Sequence, residues 1–95
     1  MTLAQHIPPQ PAAPTISLNG TEAQFLFDAN RAVVDHLYDA KQAMRNITPH
    51  GRDYIGHPEE FERARHEHKQ RLLDLERIIL ELDLIALTIQ RQQRS

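Results

Sequence analysis

The sequence predicts an all-α protein. It is read as a two-helix antiparallel hairpin with an extended Pro-rich N-terminal arm, assembling with copies of itself into a homo-oligomeric helical bundle. Three observations predict this. Two stretches, about 21–47 and about 58–92, carry apolar residues at steps of three and four, the period of an amphipathic helix. The segment 48–57 between them, TPHGRDYIGH, holds Pro49, Gly51 and Gly56, which turn a chain. The second stretch also has more apolar surface than one partner helix can cover.

Residues 1–18 form the first part. Pro8, Pro9, Pro11 and Pro14 remove amide donors and fix φ, so the segment reads as an extended arm. It is either a tail or a strap that docks on a neighbour through Leu3, Ile7, Ile16 and Leu18. Residues 19–95 make the hairpin. Its first helix starts at Thr21, where Thr21 and Gln24 have the spacing of a capping box. Leu26, Val33, Leu37, Ala40, Met44 and Ile47 give the expected core stripe, interrupted by Asn30, while Phe27, Val34 and Tyr38 give an outer stripe. Pro49 disfavours helix in the residue before it and ends the element by Thr48. Tyr54 and Ile55 are expected to fold back over the end of the hairpin.

Pro58 suits the first position of the second helix, and Glu59 and Glu60 meet its positive dipole end. Phe61, Ala64, His68, Leu72, Leu75, Ile79, Leu82, Ala86 and Ile89 form its core stripe. Leu73, Leu80, Leu84 and Leu87 add a second line, and Ile78 and Ile85 widen the first; these six are the expected oligomer interface. The second helix is the longer, and its overhang is expected to be the apolar C-terminal portion or the surface on which the arm docks. Two such hairpins would make a four-helix bundle.

Ninety-five residues allow one small domain, for which burial against another subunit is one route to stability. The formal charge of −2 gives no general attraction to double-stranded DNA or to a membrane surface. No apolar run approaches the ~20 residues that span a bilayer. With no cysteine and no basic residue before Arg31, the expected location is the cytoplasm.

Catalytic patterns are absent from the sequence, so the expected protein is not an enzyme and needs no cofactor. There is no cysteine, Ser17 lies in the arm, Ser95 is terminal, and no Gly-rich phosphate loop occurs. Six histidines invite a metal reading. His66 and His68, however, point to different faces of a helix, and no Glu-x-x-His pair is present. His36 with Asp39 and Glu62 with His66 are two-ligand fragments, and no metal site is expected. Charge is more informative. Residues 41–71 hold seven Lys/Arg against five acids, and the remainder four against eight, so the loop end is +2 and the rest −4. A small anionic, nucleotide-like ligand could bind there through His50, Arg52, Tyr54 and His57. Alternatively Arg63, Arg65, Lys69 and Arg71 pair with Glu59, Glu62 and Glu67 as a solvated face.

His50, Arg52, Asp53 and Tyr54, followed by Glu67, His68, Arg71 and Leu72, resemble a pattern in small uncharacterised α-hairpin proteins of phages and prophages. The resemblance covers the loop and second helix. It implies an accessory or counter-defence protein, acting in the host cytoplasm if phage-encoded. Three expectations about function follow. The first is a non-enzymatic oligomer that binds another protein, the second a module sequestering an anionic ligand, and the third a structural component of a virion or other assembly threaded by the arm.

Overall fold

A computed structural model describes residues 10–15 and 20–94. Helix α1 spans Gly20–Ala43, and a 3-10 turn over Met44–Ile47 extends it. A second 3-10 turn covers Gly51–Tyr54, and helix α2 spans Pro58–Arg94. At ~1.5 Å per residue, α1 is about 36 Å long and α2 about 55 Å. The arm anchors Leu3, Ile7, Ile16 and Leu18 lie outside the described residues. Residues 10–15 are without helix, and the Pro14 carbonyl accepts a hydrogen bond from Gln92 Nε2 at 3.0 Å, near the C-terminus of α2.

The helices run antiparallel, and four side-chain contacts fix their register. Gln93 Nε2 lies 3.4 Å from Gln24 Oε1, Arg31 pairs with Asp83 at 2.5 Å, Lys41 pairs with Glu76 at 3.0 Å, and Thr48 meets His68. The seam between them buries Ala23 and Val34 from α1 against Ile79, Ala86 and Ile89 from α2. Such a core is thin. The Cα atoms span 63 × 31 × 13 Å, so the hairpin is one layer of helices. Its radius of gyration is 18.4 Å, against ~12 Å for a compact chain of this length.

Of the α2 core stripe, His68, Ile79, Ala86 and Ile89 are buried, whereas Phe61, Ala64, Leu72, Leu75 and Leu82 are only partly covered. On α1 the stripe is turned by one position. Val34, expected on the outer stripe, is fully buried, whereas Val33, expected in the core, is 46% exposed. Ile47 is exposed as well, and Leu26, Leu37 and Met44 are only partly covered. Two apolar lines one residue apart look alike in sequence. Pairing Arg31 with Asp83 and Lys41 with Glu76 requires both cations beside the seam, and that phase brings Val34 inward.

A further expectation changes. Thr48 faces His68 and Gln24 faces Gln93, so the helices are nearly flush at the C-terminus of α2. The overhang is instead the charged N-terminal part of α2, from Pro58 to about Glu67. Gln24 donates Nε2 to Asp28 Oδ1 at 2.9 Å and its Oε1 faces Gln93, while the Thr21 side chain of the expected capping box lies outside the described residues.

Candidate functional site

The loop is built from the end of α1 forward. Thr48 has an extended backbone (ψ 125°), as the residue before a proline must. Its hydroxyl donates to the Arg45 carbonyl at 2.9 Å, closing the last turn of the first helical segment. His50 then caps the second 3-10 turn, its Nδ1 accepting from the Arg52 amide at 3.1 Å. Tyr54 packs on Phe61 with ring centroids 5.7 Å apart, and Arg65 lies over the other ring environment of Phe61, 5.6 Å from its centroid. A side chain at Gly51 would reach within 3.8 Å of the same ring. Gly56 takes φ +81°, a left-handed conformation that favours glycine. The His57 amide donates to the Tyr54 carbonyl at 2.8 Å, and the His57 carbonyl accepts from the Phe61 amide, so the loop feeds directly into α2.

These contacts disperse the four expected ligand residues. His50 uses one ring nitrogen on the backbone, and Tyr54 is half-buried against Phe61. Arg52 is exposed and makes no ion pair among the described residues. His57 lines a shallow cleft of about 280 Å³ together with Glu59 and Glu60, whose charge repels an anion. Ile55, expected to cover the hairpin end with Tyr54, is 80% exposed.

The larger cleft, about 350 Å³, lies beside the loop and is lined by Thr48, Pro49, Glu62, Arg65, His66, His68, Lys69 and Leu72. His68 is the one buried polar residue among the described residues, and its Nε2 stands 3.4 Å from Thr48 Oγ1. That hydroxyl also donates to the Arg45 carbonyl, so Thr48 links the end of α1 to the His68 ring. His68 thus ties α2 to the end of α1. Arg65 pairs with Glu62 at 2.9 Å, while Lys69 makes no ion pair among the described residues. Lys69 and Arg65 read in sequence as a solvated helix face. Only the return of Thr48 and Pro49 across the hairpin turns that face into one wall of a cleft. Elsewhere the solvated-face reading holds: Arg63 pairs with Glu60 and Glu67, and Arg71 approaches Glu67 at 4.0 Å. Among the described residues, no group of three His, Cys, Asp or Glu is placed to hold a metal ion, and no helix is long and apolar enough to cross a membrane.

The six expected interface residues fall on two sides of α2. Leu73, Leu80 and Leu87 repeat every seven residues and are 48%, 42% and 38% exposed. Leu80 shares a groove with Tyr38, Lys41, Glu76 and Asp83, so this line borders the face crossed by the interhelical ion pairs. Leu84 lies toward the outer edge beside that line. Ile78 and Ile85 point the other way, about 200° from Leu80 and Leu87 at ~100° per residue. They join Leu75 and Leu82, and on α1 Leu26, Val33, Leu37 and Met44 occupy the same side of the hairpin. All eight are partly covered or exposed.

Comparison of the chain with protein-family models, with curated proteins and with solved structures finds no match in any of the three.

Proposed function

We propose that this chain is a non-enzymatic helical protein that self-associates and works by binding another protein. One observation carries the reading: a single layer of two helices leaves large apolar side chains open on both broad faces, Val33 on one and Tyr38, Leu73, Leu80 and Leu87 on the other, with Phe25 exposed on the outer edge of α1. Contiguous apolar surface of this kind marks interaction sites. The thin seam also supports it, since so small a core benefits from burial against a neighbour. If association and folding are linked, the melting temperature rises with protein concentration. Thermal melts of the full chain over a hundredfold concentration range test this. A concentration-independent melt together with an 11.0 kDa solution mass would refute self-association.

A second reading, the sequestering of a small anionic ligand, is favoured by Lys69, which makes no ion pair among the described residues and lines the cleft beside Arg65 and His66. Calorimetric titration with a nucleoside monophosphate discriminates its two possible locations. Loss of binding in Lys69→Ala with retention in Arg52→Ala locates the ligand in the cleft, and the reverse locates it on the loop.

A further inference from the structure

We propose that a second copy of this chain covers the face formed by Leu26, Val33 and Leu37 of α1 with Ile78, Leu82 and Ile85 of α2, lying across it with its loop at the opposite end. The proposal rests on the self-association reading above and assigns it a surface and an orientation.

That face is the less charged of the two. Between Leu26 and Met44 helical phase brings no charged residue onto it, and on α2 Asp74 and Glu81 stand at its margin, next to Ile85, with no ion pair crossing it among those described. Its polar side chain, Asn30, donates Nδ2 to the Leu26 carbonyl of its own helix at 2.9 Å, which leaves its Oδ1 as the acceptor that a covering partner must meet. The opposite broad face is different. Arg31–Asp83 and Lys41–Glu76 cross it, and burying those pairs would require removing four charges from water.

Size and charge both suit a second copy. Where α1 and α2 overlap, the face is about 36 Å long and roughly 20 Å wide for two helices spaced 8–10 Å apart, or on the order of 700 Å² per partner. A standard stable interface needs about 800 Å² per partner. The loop half carries +2 and the rest −4, so a copy laid with its loop at the other end sets each basic half beside an acidic one. Arg45 and Arg52, which make no ion pair among the described residues, are available for that attraction. Complementarity of this kind selects orientation more than it adds affinity.

The test uses the full chain in light scattering coupled to size exclusion. The expected mass is twice 11.0 kDa for the parent and for Leu80→Glu on the other face. Val33→Glu and Ile78→Glu should each fall to 11.0 kDa with helical circular dichroism retained, because neither residue is in the buried seam. A dimer that survives both substitutions but dissociates with Leu80→Glu overturns the assigned face and leaves self-association standing. A monomeric parent overturns both. Orientation is read separately from Val33→Cys, which places the chain's only thiol near the middle of α1. With loops at opposite ends α1 lies on its own copy, and a short bis-maleimide should join the two thiols. Absence of that covalent dimer overturns the orientation.

Discussion

The two broad faces of this hairpin both carry apolar side chains and are unlike in what crosses them. One is bridged by Arg31–Asp83 and Lys41–Glu76, with Leu73, Leu80 and Leu87 along its border. The other carries Val33, Leu37, Ile78 and Leu82 with no charge between the helices. The difference teaches that apolar excess alone does not define an interface. Ion pairs with side chains 35–50% exposed keep one face wetted, while the face without them is the one that water leaves at least cost.

The largest effect that could break this comparison comes from neighbouring valines. Val34→Asp places a charge in the seam and should cost several kcal/mol, abolishing most helicity by circular dichroism. Val33→Asp, one residue earlier, should leave helicity intact and alter only association. Equal loss of helicity in both would mean that the faces are not separable from the core. His68→Ala sharpens the point, since it removes the tie to Thr48 without touching either face. A loss of about 1–3 kcal/mol in denaturant unfolding is expected. The dimer should persist wherever the variant remains folded.

Gly56→Ala probes the loop end alone. With φ at +81°, an added Cβ should cost about 1 kcal/mol and lower the melting temperature, although nothing stands within 4 Å of it. The smallest effect belongs to the bridged face. A double-mutant cycle on Arg31 and Asp83 should give a coupling of about 0.2–1 kcal/mol that fades in high salt, as for other exposed pairs. A coupling of several kcal/mol, insensitive to salt, would mean that this face is the buried one and would reverse the comparison.

Much of the fold was legible from residue order. Period and punctuation placed both helices, and Pro49, Gly56 and Pro58 bounded the loop within a residue or two, because proline fixes φ and removes a donor while glycine permits the positive φ at Gly56, whatever surrounds them. The candidate sites were less legible. His50, Arg52, Tyr54 and His57 are close in sequence, yet capping and ring stacking turn them to separate tasks. Thr48, Pro49 and Lys69 form a cleft through a contact twenty residues apart, which no local pattern encodes.

The sequence by itself therefore determined two helices, the turn between them, the seam stripe of α2 and an apolar surface too wide for one neighbour. Only the tertiary structure decided that Val34 rather than Val33 enters the seam, that α2 overhangs at its charged N-terminal end, and that the leucine line and the isoleucine line face opposite ways. The physical reason is that helical period fixes which residues share a side, while the packing of Val34 and Ala23 against Ile79, Ala86 and Ile89 fixes which side turns inward, in the register that Arg31–Asp83, Lys41–Glu76 and Thr48–His68 mark.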